Sequence, residues 1–141
     1  MDPTVCKVTE ARAKVACTEV HKVFPEAECK VEYDREGRGV IKFIVDRCLV
    51  DMEFVETQES WHHPRRLKEY ENIIGSKCRV VVLIPEPHAL KARLRMLDLN
   101  MKYLFYYQVY AYDAEGRTTH ISTVHQMGGH DSSRDKVRGY A

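Results

Sequence analysis

Apolar residues change from helical to alternating spacing within the first third of the chain. In residues 5–24 they recur among charged residues at intervals typical of one face of an amphipathic helix, and Pro25 ends that segment. Residues 28–33 and 40–45 are rich in β-branched and aromatic side chains and flank a polar, glycine-containing turn, while the apolar residues within 48–56 favour a third strand. We therefore predict a helix followed by a three-strand meander.

The middle of the chain predicts two helices around one fully buried strand. Residues 64–75 begin with a proline and end with a glycine, as helices commonly do. Residues 78–84 are almost continuously apolar, which is typical of a central strand covered on both faces. A third helix is predicted over residues 85–100. Its apolar stripe consists of three leucines at helical spacing, Leu90, Leu94 and Leu97.

The last third of the chain is predicted to contain a β-hairpin. Residues 103–112 alternate among aromatic and aliphatic side chains, and a turn at residues 113–116 leads to a further strand over residues 118–124. The resulting order, αβββαβαββ, implies an α/β (α+β) fold with a mixed sheet and helices on both faces. We expect residues 1–125 to form a single domain and residues 126–141 to be a flexible C-terminal tail.

Composition places the chain among ordinary globular proteins and weakens several functional classes. Its 141 residues are 44% hydrophobic and 30% charged, which fits one folded domain. The formal net charge of +1 gives no overall attraction for nucleic acid or a membrane surface. No apolar run approaches the roughly 18 residues of a membrane span. Residues 1–4 lack the features of a secretory signal, so we expect a soluble, cytoplasmic protein.

Cysteine and histidine spacing gives no strong metal motif. The five cysteines are odd in number and have no CxxC spacing, which favours reduced, mostly buried thiols over disulfides or a structural zinc site. Three histidines recur every five residues near the C-terminus, namely His120, His125 and His130. With Asp131 they form a candidate transition-metal site, although the adjacent Gly128-Gly129 favours a solvated tail.

A helix, a three-strand meander, a helix and a buried strand together resemble the core of the PD-(D/E)xK, or restriction-endonuclease-like, nucleases. Residues 41–57, which read IKFIVDRCLVDMEFVET, look like the two signature strands of that superfamily. The resemblance implies that Glu53 occupies the metal-binding acidic position, with Asp51 two residues earlier on the same strand face. It also implies Mg²⁺ as the cofactor.

Two positions depart from the pattern of that superfamily. Lys42 stands where the resemblance places an aspartate, and Val55 stands where it places a lysine. Because Mg²⁺ is bound through carboxylates, waters and substrate phosphates together, one carboxylate holds it poorly. A shifted alignment leaves Asp46, Asp51 and Glu53 as catalytic candidates, of which Asp51 and Glu53 are the metal-ligand candidates. The alternative is that these carboxylates are solvent-facing or ion-paired.

Aromatic and basic residues near the start of the second helix form a candidate nucleic-acid site. Trp61 could stack on a base while Arg65, Arg66 and Lys68 contact phosphates, next to the free amides of a helix N-terminus. The alternative is a tryptophan that covers the edge of the core, beside basic residues on a solvated helix face.

Two functional hypotheses follow from the sequence. The departures from the nuclease pattern favour a non-catalytic binding or assembly domain, which is expected to form a homodimer through the aromatic hairpin of residues 103–124. The alternative is a metal-dependent nuclease acting on DNA or RNA. That alternative requires Asp46, Asp51 and Glu53 to converge in a cleft beside basic residues.

Overall fold

The computed structural model of this chain describes residues 2–100 and 106–121. In chain order its elements are α1 (Pro3–Val23), β1 (Glu28–Tyr33), β2 (Gly39–Val45), β3 (Cys48–Val55), a 3₁₀ turn (Ser60–His62), α2 (Arg66–Gly75), β4 (Arg79–Pro85), α3 (Glu86–Arg95), α4 (Leu97–Asn100), β5 (Tyr107–Tyr112) and β6 (Thr118–Ile121). The predicted order of helices and strands is confirmed, with the short α4 as an addition. Across the described residues, no helix combines the length and the apolarity that a membrane crossing requires.

Within the described residues, six strands form one mixed sheet in the order β1-β2-β3-β4-β5-β6. The meander β1–β3 is antiparallel, β4 runs parallel to both β3 and β5, and β6 returns antiparallel to β5. The two parallel pairings need crossover connections, which α2 and the α3–α4 segment provide. As the sequence predicts, β4 is the buried central strand, since Val80 to Ile84 are each at most 2% exposed.

Helices cover both faces of the sheet, as predicted. On one face, Val81 and Leu83 of β4 pack with Val5 and Val8 of α1. On the other face, the alternate β4 residues pack with α2, α3 and α4 in a larger apolar cluster. Because side chains of a strand point alternately to its two faces, the continuous apolar run of β4 serves both layers at once.

Local sequence features fix α1 tightly against the sheet. The helix begins at Pro3, and the Asp2 carboxylate caps it by accepting a hydrogen bond from the Thr4 backbone N–H at 2.8 Å. Gly39 at the start of β2 lies so close to α1 that a Cβ there would stand 1.9 Å from the Thr9 hydroxyl oxygen. The absence of a side chain at residue 39 therefore lets α1 approach the backbone of β2.

The third predicted helix differs from expectation in its orientation and its length. Its leucine stripe does not face the sheet, because Leu90 and Leu94 are 47% and 44% exposed. The helix instead buries Ala89 and Ala92 against β4 and β5. Small side chains let the helix axis approach the sheet closely, so the bulky leucines lie on the outer side. The helical run is also interrupted at Met96, between α3 and α4.

The cysteines are less buried than the sequence predicts. All five are free thiols, but only Cys78 is buried and Cys48 is exposed, so the prediction of mostly buried thiols is wrong.

Of the aromatic hairpin, the structure describes residues 106–121, where Tyr107 and Tyr112 are buried and Tyr106 is 41% exposed. His125, His130 and the predicted tail at residues 126–141 lie outside the described residues.

Candidate functional site

A groove of about 590 Å³ lies between α1 and the sheet, and we call it the α1 groove. Its rim is apolar and consists of Val15, Val20, Val23, Phe24 and Val50. Its polar side chains come from α1, β3, β4 and β5, and are Arg12, Glu19, Asp51, Glu53, Arg79, Gln108 and Tyr110. The groove therefore offers an apolar contact surface beside a set of hydrogen-bonding groups.

Strand β3 places two carboxylates side by side in this groove. Asp51 and Glu53 are two residues apart and share the sheet face that α1 covers. On β4, the cross-strand partner of Asp51 is Arg79. On β2, the partners of Asp51 and Glu53 are the buried, apolar Phe43 and Ile41. Both carboxylates consequently have apolar neighbours on the β2 side, whereas on the β4 side Asp51 faces Arg79 and Glu53 faces the apolar Val81.

Glu53 is held by a two-pronged ion pair with α1. Arg12 donates from Nε to Oε1 at 2.5 Å and from Nη2 to Oε2 at 3.1 Å, and the Glu53 side chain is only 2% exposed. The guanidinium carbon also lies 4.7 Å from the centroid of the Tyr110 ring. Burial alone would lower the pKa of Arg12, but the contact with Glu53 outweighs burial and raises that pKa. Arg12 is therefore a permanently charged partner of Glu53.

Asp51 is not satisfied in the same way. Its Oδ1 atom is buried and has no hydrogen-bond partner among the described residues. Burial and, to a smaller extent, the nearby Glu53 raise the pKa of the Asp51 carboxyl to about 7, although Arg79 and Arg12 oppose the shift. Near neutral pH, Asp51 is thus present in both protonation states, and it can accept or donate a hydrogen bond within the groove.

The nuclease-like positions are only partly brought together. Asp51 and Glu53 lie in the α1 groove, whereas Asp46 is exposed in the β2–β3 turn, where Asp46 and Arg47 have φ angles of 49° and 68°. Lys42 pairs across the sheet with Met52 and makes an ion pair of 2.5 Å with Glu32. By strand alternation, Lys42 therefore lies on the face opposite Asp51 and Glu53.

Val55 occupies the position where the resemblance places the lysine. It lies on the same face as Glu53, is 0% exposed and packs against Val5 and Val8 of α1. The groove thus has no ammonium at that position. It also has no carboxylate on β2 opposite Glu53.

A second charged cluster lies on the other face of the sheet, just beyond the end of β3. We call it the Glu56 cluster, and its members are Arg38, Glu56, Ser60, Arg66, Glu69 and Tyr70. Glu56 is 0% exposed and accepts hydrogen bonds from Arg38 at 3.0 Å, from the Ser60 hydroxyl at 2.7 Å and from the Tyr70 hydroxyl. Burial and the adjacent Glu56 carboxylate raise the pKa of Tyr70 well above its usual range. Tyr70 therefore remains a neutral hydrogen-bond donor.

The Glu56 cluster accounts for one of the predicted nucleic-acid-binding residues. Arg66 is 4% exposed and donates to the Ser60 carbonyl at 3.0 Å and to Glu69 at 2.7 Å, so its guanidinium is engaged inside the protein. Trp61 is half-buried and stacks on His88, with ring centroids 5.3 Å apart. Arg65 and Lys68 are exposed, and Lys68 pairs with Glu71 at 3.0 Å. Arg66 is therefore not available to a ligand at the surface beside Trp61, Arg65 and Lys68.

Several residues of these sites have no local signal in the sequence. Arg12 and Glu53 are 41 positions apart, and Arg38 and Glu56 are 18 positions apart, so only the packing of α1 and of the β1–β2 loop brings them together. Cys17 and His21, by contrast, do have a local signal in the sequence. They stand four residues apart within the first predicted helix and therefore lie on one helix face.

Comparison with known proteins adds no family to this description: no family model, curated protein or solved structure gives a significant match. The class of protein is therefore described from the fold and the side-chain geometry alone. It is a mixed-sheet α+β domain with a partly apolar groove beneath its first helix.

Proposed function

We propose that this chain is a non-catalytic binding domain on a scaffold that resembles the restriction-endonuclease-like nucleases, and that the α1 groove is its ligand site. The observation that carries the proposal is the buried, unpartnered Oδ1 of Asp51 in a groove with an apolar rim. A buried polar atom without a partner costs free energy comparable to a lost hydrogen bond. A ligand that donates to Asp51 would remove that cost.

The residues that depart from the nuclease pattern support a binding role over catalysis. Val55 supplies no ammonium to orient an attacking water, and the apolar Ile41 and Phe43 supply no second strand's carboxylate. Glu53 is the carboxylate best placed for a metal, but it already accepts hydrogen bonds from Nε and Nη2 of Arg12. A metal would have to displace Arg12, whose charge would then be left in a partly buried position.

The charge balance of the α1 groove indicates the class of ligand. Arg12 is neutralised by Glu53, and Arg79 faces Asp51 across the β3–β4 pair. A polyanion gains little from such a nearly neutral site. The groove instead suits a small organic molecule or a peptide side chain that combines an apolar group with an N–H donor, such as an amine or amide.

Protein-observed NMR with a fragment library tests this proposal. We expect amine- and amide-bearing aromatic fragments to bind the wild-type chain and to shift backbone signals of α1 and β3. Asp51→Ala, which removes the acceptor, should weaken their binding, whereas the exposed Asp98→Ala on α4 should leave it unchanged. Fragments that bind elsewhere, or that bind Asp51→Ala and wild type equally, would refute the proposed site.

A metal-dependent nuclease is the second candidate. It is favoured by the two carboxylates on one strand face and by the raised pKa of Asp51, since a bound divalent cation would offset the repulsion between Asp51 and Glu53. Single- and double-stranded DNA and RNA should be incubated with Mg²⁺ or Mn²⁺ and with wild type, Glu53→Ala or the exposed control Glu59→Ala. Under the binding proposal, none of the proteins cuts in a metal-dependent way. Cutting that is lost only in Glu53→Ala would replace that proposal with the nuclease.

A further inference from the structure

A cluster of three possible metal ligands lies where α1 meets β1, and none of the three residues lines the α1 groove. Cys17 and His21 stand one turn apart on α1, and Cys29 reaches them from β1. One ligand atom from each of the three residues lies within 4.8 Å of the others. The two sulfurs are 2.8 Å apart, and Cys17 Sγ is 3.6 Å from His21 Nδ1.

The backbone between α1 and β1 fixes the orientation of the histidine. Nε2 of His21 lies 2.9 Å from the carbonyl oxygen of Ala27, so Nε2 carries the proton and donates it to that oxygen. Nδ1 is then left with a lone pair for a metal, and Cys17 Sγ lies beside the ring, 3.6 Å from Nδ1 and 3.9 Å from Nε2. A metal-binding histidine usually donates a hydrogen bond from its other ring nitrogen, because that bond fixes both the tautomer and the ring plane.

The packing beneath the cluster holds the two cysteines in place. Cys17, Val20 and Cys29 pack against a small core of Ala16, Ile41 and Phe43. The two cysteines are thus anchored from below by a helix and by a strand, while the outer side of the cluster is partly exposed. An ion can enter from solvent without any movement of the core.

We propose that Cys17, His21 and Cys29 bind a zinc ion. Two thiolates and an imidazole form a soft donor set that suits zinc and excludes Mg²⁺ or Ca²⁺, which prefer oxygen ligands. Three protein ligands leave the fourth tetrahedral position for water from the exposed side. This site is independent of the α1 groove, so the two proposals can fail separately.

The separation between the two sulfurs needs only a small change. Two sulfurs bound to one tetrahedral zinc, each at about 2.3 Å from the ion, stand roughly 3.8 Å apart. The observed separation of 2.8 Å therefore has to widen by about 1 Å, which a rotation of the Cys29 side chain can supply. Burial and the adjacent Cys17 raise the pKa of Cys29 to about 12, and a bound divalent cation would reverse this preference for the neutral thiol.

Metal titration of the full chain tests the proposal. The protein should be reduced, stripped of metal with a chelator and titrated with Co²⁺, followed by competition with Zn²⁺. We expect one ion per chain by native mass spectrometry and the visible absorption of tetrahedral cobalt with thiolate charge-transfer bands. Cys17→Ser and Cys29→Ser should weaken zinc binding by more than the ~10–100-fold typical of losing a supporting residue. The exposed Cys48→Ser should bind like wild type.

His21→Cys provides a rescue, because a third thiolate can replace the imidazole as a zinc ligand, whereas His21→Ala should lose the ion. Circular dichroism of each variant shows whether it folds, and the wild-type stoichiometry alone decides the proposal if a variant does not. Reduced wild-type protein that takes up no zinc would overturn the proposal. So would zinc uptake that both serine variants retain. Peptide mapping of the protein before reduction shows whether Cys17 and Cys29 form a disulfide. If they do, and the reduced protein takes up no zinc, the pair would be assigned to redox chemistry instead.

Discussion

The Glu56 cluster and the α1 groove contain the same elements, a glutamate from the end of β3 and an arginine, but they use them differently. Glu56 and Glu53 are 0% and 2% exposed and lie on opposite faces of the sheet. Glu56 receives hydrogen bonds from Arg38, Ser60 and Tyr70, and the arginine has further carboxylate partners. Glu53 receives only the Arg12 pair among the described hydrogen bonds.

The difference teaches how to separate a structural charge cluster from a site. In the Glu56 cluster, both carboxylate oxygens of Glu56 are bonded and Glu56 itself is closed to solvent, so its carboxylate leaves nothing for a ligand to satisfy. Beside Glu53, the Asp51 oxygen stays unpaired and the groove is open. A complete buried network stabilises one conformation, whereas an incomplete one at a groove leaves binding energy for a partner.

Glu56→Ala is expected to have the largest effect. It leaves two buried arginines without their shared partner, and breaking a buried pair on one side costs about 3–5 kcal/mol. Urea unfolding should show this loss as a lower midpoint with little change in slope. Glu59→Ala, on an exposed residue three positions later, should stay within about 0.5 kcal/mol of wild type. Equal stability of the two variants would mean that the Glu56 cluster is not structural.

Tyr70→Phe removes a single donor to Glu56 and keeps the ring that packs against Phe54. Because hydrogen bonds to charged groups are each worth about 1.5–3 kcal/mol, we expect a loss of that size in the free energy of unfolding. The matched control is Tyr106→Phe, on a tyrosine that is 41% exposed, and it should be near neutral. A cost below that of the control would contradict the assignment of the hydroxyl to Glu56.

Arg12→Met tests the other member of the comparison. It removes the partner of Glu53 but preserves much of the aliphatic stem, and the open groove lets water replace the guanidinium. We therefore expect a loss of about 1–2 kcal/mol, smaller than for a closed site. Lys14→Met, on an exposed α1 residue, is the control for helix propensity and lost charge. A loss as large as that of Glu56→Ala would show that the two regions do not differ in solvent access.

Asp51→Asn should have the smallest effect, and that effect should depend on pH. Because the folded-state pKa of Asp51 is raised to about 7, the native chain holds a proton that the unfolded chain has already lost. The contribution of Asp51 to stability is therefore full below about pH 4 and is lost as pH rises through about 7.

The asparagine variant removes this pH dependence. It should be more stable than wild type at about pH 8, by on the order of 1 kcal/mol, and the difference should shrink at about pH 5. Thermal unfolding across this range measures the effect. Asp98→Asn, which lies in α4, should give a constant difference. If the stability gain of Asp51→Asn over wild type were larger at low pH than at high pH, the burial of a charged Asp51 could not be its cause.

The fold was more predictable from sequence than the sites, for physical reasons. Strand and helix positions follow from local periodicity, and the all-apolar β4 run correctly marks the central strand. Periodicity failed at α3, where Ala89 and Ala92 rather than Leu90 and Leu94 face the sheet, because close packing favoured small side chains.

The charged sites depend on contacts that no local pattern contains. Glu53 and Asp51 could be placed on one strand face, but their arginine partner on α1 could not be predicted. Arg66 looked like a phosphate ligand in the sequence because the burial of the Glu56 cluster is a tertiary property. Cys17 and His21 did carry a helical spacing, but the third ligand, Cys29, comes from the next strand.

The strand order of the sheet has a consequence for how the chain is made. Each strand pairs with the strand immediately before it in the sequence, from β1 through β6. During synthesis on the ribosome, every new strand can therefore add to an edge that has already emerged, and no strand has to wait for a distant C-terminal strand to pair with. The sheet can grow in the direction of translation, with α1 and the meander as its first assembled part.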